Sequence, residues 1–262
     1  MSYEFDDAVA VDSSGRAELP ERWTMGPGFA HGGYLMSLGL SAALIAAPHP
    51  DPISMSAHFM RPGRVGPADV VTNTLRSGRQ LATVTADVVQ EGSVDVATIT
   101  TFGDLSGTGD VDFQSMPFPD LPPPSACIPA DRATNPLVPR MVDNLELRLT
   151  PDSTSWAQGI QLGAARMEGW VRFADGRPID CTSIPMFADA LPPPIFNLGT
   201  FAPWTPTIEM TVHFRRRPQT PWLAVSFTTA LVGGQFFESS GTLWDQSRNL
   251  IAMSRQIQLV NR

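Results

Sequence analysis

Asp189 stands in an otherwise apolar stretch, Ile184 to Leu191, where an unpaired carboxylate is costly, and this makes it the first candidate for chemistry in the chain. Two readings are open: a base that serves a reaction, or an acid that caps or lines the polar face of a helix. Neither a Gly-x-Ser-x-Gly elbow nor a Gly-x-x-x-x-Gly-Lys-Ser/Thr loop occurs in the sequence. With no covalent nucleophile signposted, a bound water is the attacking group that remains. Arg215, Arg216 and Arg217 form the densest positive charge in a chain of net charge −8. They suit phosphate groups and, just as well, a solvated strand end. Cys127 and Cys181 have no histidine or cysteine beside them at ligand spacing, so neither a metal nor a cofactor is expected. Both are expected to stay reduced.

These residues must be positioned by a fold, and the sequence contains part of itself. Residues 53–61, Ile-Ser-Met-Ser-Ala-His-Phe-Met-Arg, reappear as 208–216, Ile-Glu-Met-Thr-Val-His-Phe-Arg-Arg, at an offset of 155. The same offset pairs His58 with His213, Gln80 with Gln235 and Ala97 with Ala252. So long a period excludes a solenoid and implies two tandem copies of one small fold. It also pairs Asp189 with Tyr34, Thr207 with Pro52 and Gln256 with Thr101, so these polar groups belong to one copy only. The expected division is 1–103, a proline-rich linker over 104–140, and 141–262 carrying the chemistry.

Residues 31–47 read as a helix apolar nearly all round, stopped by Pro48, which must be buried on most sides. Strand patterns follow at 53–60, 69–76, 80–90 and 94–102. The second half repeats the order with a strand at 164–173, a helix at 182–191 closed by Pro192, Pro193 and Pro194, and strands at 207–215, 222–231, 235–245 and 249–260. A buried helix wrapped by a curved antiparallel sheet, present twice, is an α+β double hotdog. His58 and His213 fall on polar strand faces, where packing is the simpler role, and His31 orients a helix start. The acidic balance argues against nucleic acid as a partner. The richest apolar run, Tyr34 to Ala47, is too short to span a membrane, and the acidic N-terminus does not read as a signal peptide, so a cytoplasmic protein is expected.

The chain resembles the acyl-CoA thioesterase II type of double-hotdog thioesterases from about residue 18 onward. The resemblance is carried by Phe29-Ala30-His31-Gly32-Gly33, His58-Phe59-Met60-Arg61-Pro62-Gly63, Met186-Phe187-Ala188-Asp189, Thr207-Ile208-Glu209, His213-Phe214-Arg215-Arg216 and Leu250-Ile251-Ala252-Met253-Ser254-Arg255-Gln256. It implies that Asp189, Thr207 and Gln256 hold a hydrolytic water, that the substrate is an acyl-CoA, and that the arginine run is a candidate for the coenzyme A phosphates. That run departs from the family's usual Phe-x-Arg-Pro by one residue. Backbone N–H groups of Gly32 and Gly33, at the start of the buried helix, are the candidates for the oxyanion site, where glycine would let a thioester approach closely. A homo-oligomer, a dimer of double hotdogs or higher, is expected. A hydratase on this fold would need a histidine about five residues after the aspartate, but residue 194 is proline. The rival from another class is a non-catalytic acyl-CoA binding protein.

Overall fold

The computed structural model describes residues 2–26, 28–107, 113–133, 138–199 and 205–260. Parts of the expected linker, 108–112 and 134–137, lie outside the described residues. The elements are α1 (Glu4–Ala8), β1 (Arg16–Leu19), β2 (Thr24–Gly26), β3 (Phe29–Ala30), α2 (Gly32–Ala46), β4 (Asp51–Phe59), β5 (Gly66–Ser77), β6 (Ala82–Gln90), β7 (Ser93–Gly103), β8 (Ile128–Pro129) and β9 (Leu145–Leu149). They continue with α3 (Pro151–Thr154), β10 (Arg166–Phe173), α4 (Ile184–Phe187), β11 (Thr207–Phe214), β12 (Leu223–Thr228), β13 (Val232–Gly233), β14 (Phe236–Asp245) and β15 (Leu250–Leu259). Among the described residues, no helix is long and apolar enough to cross a membrane.

One antiparallel sheet runs β1-β5-β6-β7-β4-β11-β15-β14-β12-β10-β9-β8, with β13 on β14. The repeated segments are its two central strands. β4 and β11 pair so that Ser56 faces Thr211, flanked by His58 facing Glu209 and Ser54 facing His213. Ser56 faces its own repeat partner, while His58 faces the partner of Ser54 and Ser54 faces the partner of His58, which is the signature of a two-fold relation between the copies. The Ser56 and Thr211 hydroxyls meet at 2.8 Å on that axis, and both histidines are exposed on the outer face.

The pairing also corrects the repeat. Met55 faces Thr100, whereas its counterpart Met210 faces Gln256, so the last strands are related by 256 − 100 = 156 rather than 155. The structural counterpart of Gln256 is therefore Thr100 and not Thr101. Ala97 corresponds to Met253, and its match with Ala252 was coincidental, because His58 faces Ala97 while His213 faces Met253. β6 and β14 still keep 155: Val84 faces Thr100 as Ser239 faces Gln256. One residue is thus added at the β14–β15 turn.

α2 is buried over most of its length, as an all-apolar helix requires. The second helix is a correction. The expected 182–191 helix shrinks to one turn of α4 after a 3₁₀ turn at Cys181–Ser183, and Asp189 sits in the turn that follows. Pro192, Pro193 and Pro194 lack donors and bias their predecessors to extended backbone, so the chain leaves helical geometry early. The two copies are also clamped by charge: Arg217 grips buried Asp51 through two hydrogen bonds of 2.7 Å. α1 was not foreseen. It packs across onto the second copy, with Phe5 against Phe173 at 4.9 Å and Asp6 paired with buried Arg177 at 2.6 Å.

Candidate active site

A cavity of about 660 Å³ lies where the start of α2 meets α4, the first residues of β11 and the end of β15. Its wall is mostly hydrocarbon, including Leu35, Phe59, Leu149, Trp156, Leu191 and Phe227. Asp189, Thr207 and Gln256 all line it.

Each polar group is held by its neighbours. Gln256 faces inward on β15 and its Oε1 accepts a hydrogen bond from Thr207 Oγ1 at 3.2 Å. Its amide NH₂ and the remaining lone pairs of Thr207 are left for a ligand. The carboxylate of Asp189 accepts from the N–H of Gly33 at 2.9 Å through Oδ2. His31 completes this corner. Its Nδ1 accepts from the N–H of Tyr34 at 3.3 Å, capping α2, so the ring proton sits on Nε2. From there it donates to the Asp189 carbonyl at 3.0 Å and lies 3.4 Å from Oδ2. The helix-orienting role expected of His31 is joined by a second one, steadying Asp189, which spacing alone could not reveal.

Burial pushes the Asp189 carboxyl above its ordinary value, against the opposing pull of His31 and the Gly33 N–H. A carboxylate with a raised proton affinity, on the wall of an apolar cavity beside two groups able to hydrogen-bond a water, has the properties of a general base.

Two expectations for the glycines and the arginines need correction. The N–H of Gly33 is spent on Asp189, so it is not available to an oxyanion. Its lack of a side chain is explained by packing: a Cβ there would stand 2.6 Å from the Pro185 carbonyl oxygen and 2.9 Å from Asp189 Cβ. What approaches Gly33 is the second copy of the fold, and not a substrate. Gly32, at the first helical position and on the cavity wall, has no carbonyl within the helix for its N–H and keeps the donor role open. The arginine run follows β11 at the end opposite Thr207, roughly 25 Å away by strand rise. None of the three lines the cavity. Arg217 is committed to Asp51, and Arg216 donates to Gln114 at 3.0 Å. Cations do occur on the cavity side: Arg61 lines the wall, bonded to buried Asp95, and the exposed Arg64 lies over the ring of Phe29, 5.6 Å from its centroid. The linker expected to cross the surface contributes Ile128, Ala130 and Val138 to the same wall.

Comparison with known proteins gives a consistent picture. The acyl-CoA thioesterase N-terminal domain family matches residues 19–103, and the acyl-CoA thioesterase C-terminal domain family matches 120–260. A candidate thioesterase II from Thermobifida fusca YX is similar in structure with a TM-score of 0.88 at 29% identity, over 99% of this chain and 98% of that one. A hot dog fold protein of unknown function from Alicyclobacillus acidocaldarius superposes with a TM-score of 0.87 at 20% identity, over 100% and 99% of the two chains. At that identity the likeness speaks for the fold alone. An uncharacterized protein of Mycobacterium tuberculosis (strain ATCC 25618 / H37Rv) is 23% identical over 93% of this chain and 89% of its own.

Proposed function

We propose that this chain, which belongs to the acyl-CoA thioesterase family, hydrolyses an acyl-CoA to the free acid and coenzyme A by direct attack of water. The observation that carries the reading is the meeting of Asp189, with its raised proton affinity, and the hydrogen-bonded pair Thr207 and Gln256 on one apolar cavity.

In this reading Thr207 and Gln256 position the water and Asp189 accepts its proton as the oxygen bonds to the thioester carbon. The carbonyl electrons move onto oxygen, where the N–H of Gly32 at the positive end of α2 meets the developing charge. Collapse re-forms the carbonyl and breaks the carbon–sulfur bond, and the proton held by Asp189 passes to the departing thiolate. His31 and Gly33 keep the carboxylate fixed throughout, so little reorganisation is needed as charge moves. The acyl chain lies along the hydrocarbon wall. Arg64, stacked on Phe29, is a better candidate for a coenzyme A phosphate than the Arg215–Arg217 run.

The test is thiol release from a panel of acyl-CoAs of graded chain length. Release with at least one member, lowered about 10²–10⁴-fold by Asp189→Asn, supports hydrolysis. Tight binding without release from any member would replace the enzyme with an acyl-CoA binding protein.

A further inference from the structure

Gln258 lies two residues beyond Gln256 on the same inward face of β15, about 7 Å further along the strand. It lines the cavity and is 4% exposed. Its Oε1 accepts from Ser239 Oγ at 3.1 Å, and that hydroxyl lies 3.2 Å from Thr229 Oγ1. The chain of hydroxyls fixes which way the amide is turned. It leaves the NH₂ of Gln258 with no protein acceptor among the described residues, on a wall that is mostly hydrocarbon. Buried amides are seldom left so unless something else supplies the acceptor.

The other copy of the fold shows that packing does not require these polar groups. Pro52 faces Phe102 and Met55 faces Thr100 on β4, as Thr207 faces Gln258 and Met210 faces Gln256 on β11. The counterpart of Gln258 is therefore Phe102, and that of Ser239 is Val84, both fully buried. Hydrocarbon fills these two places in the first copy. The polar pair occurs only in the copy that also supplies Asp189, Thr207 and Gln256 to the cavity.

We infer that Gln258 reads a hydrogen-bond acceptor on the acyl chain, a hydroxyl or oxo oxygen some way beyond the thioester, so that oxygenated acyl groups are preferred over plain ones. This rests on the acyl-CoA reading above. Coenzyme A is large and anionic and keeps to the open side of the cavity, where Met60 is 58% exposed. The buried part of the wall at Gln258, with Ser239 behind it at 1% exposure, is left to the acyl group.

Non-hydrolysable thioether analogues of octanoyl-CoA, plain or carrying a hydroxyl or oxo group at successive carbons, would be titrated by calorimetry into the wild-type protein and Gln258→Met. The wild type should bind the best-placed oxygenated analogue about 10-fold more tightly than the plain one, and Gln258→Met should erase that ratio. Ser239→Ala, which leaves the amide in place but unanchored, should lower it in part, and carries the comparison if Gln258→Met does not fold. No preference in the wild type for any oxygenated analogue overturns the inference. So does an equal loss of affinity for every analogue in Gln258→Met, which would assign the amide to the pantetheine arm. Because no turnover is involved, a failure here is separate from a failure to hydrolyse thioesters.

Discussion

Where one copy of the fold has Asp189, Thr207 and Gln256 around a cavity, the other has Tyr34, Pro52 and Thr100 in a solid core. Tyr34 is fully buried, its hydroxyl donates to the Ala8 carbonyl at 2.8 Å, and its ring stacks on Trp23 at 5.8 Å. Phe5 then closes on Trp23 edge-on at 5.4 Å. The same backbone frame thus holds a hollow on one side and an aromatic plug on the other. A duplicated fold can give up one site and recover the space as packing, and the abandoned position becomes a source of stability.

That contrast can be broken most sharply at Asp189. Asp189→Asn keeps shape and hydrogen-bonding capacity but cannot take a proton, so thiol release should fall by about 10²–10⁴-fold while binding of a thioether analogue persists. Tyr34→Ala attacks the opposite member. It should cost about 3–5 kcal/mol of stability in urea unfolding, as for other buried aromatics, and leave turnover per folded molecule near the wild-type value. An equal loss of turnover would mean that the plugged side also serves the reaction. Thr207→Val and Gln256→Ala should each cost less than Asp189→Asn, and adding either to Asp189→Asn should cost far less than the product of the two, because the three act as one unit.

The pH dependence separates chemistry from stability. Burial raises the Asp189 carboxyl above its ordinary value of 3.8, so the acid limb of kcat/KM should have its midpoint above that value and vanish in Asp189→Asn. For stability the sign is reversed. A raised carboxyl pKa favours the fold below the unfolded-state value, and that contribution is lost as pH rises through the folded value. Asp189→Asn should therefore be at least as stable as the wild type at pH 7, with its advantage shrinking in acid, as measured by urea unfolding at the two pH values. The smallest effect belongs to the arginine run. Arg215→Ala, on an exposed side chain far from the cavity, should leave the KM for acyl-CoA unchanged.

The repeat and the alternation of apolar residues made most strands and the buried helix legible, because these patterns are what a half-buried sheet demands. A one-residue addition at a turn was invisible, since the chance identity of Ala97 and Ala252 hid it. The shortness of α4 was signalled by the proline run but not its extent. The arginine run drew attention through charge density, and density along the chain says nothing about which end of a strand a cavity occupies. Gln258 was within reach: a strand period of two places it on the face of Gln256. Its missing acceptor, however, is a fact of three dimensions.

The docking of α1 on Phe173 and Arg177 has a consequence for the order in which the protein can form. Phe5 and Asp6 wait for a surface made more than 160 positions later, since they dock on Phe173 and Arg177. At about 5–20 residues per second of synthesis, that leaves Trp23 without its aromatic lid for many seconds on the ribosome. The first copy should thus remain sensitive to protease in nascent chains that end before β10, and become resistant once β10 and Arg177 have emerged.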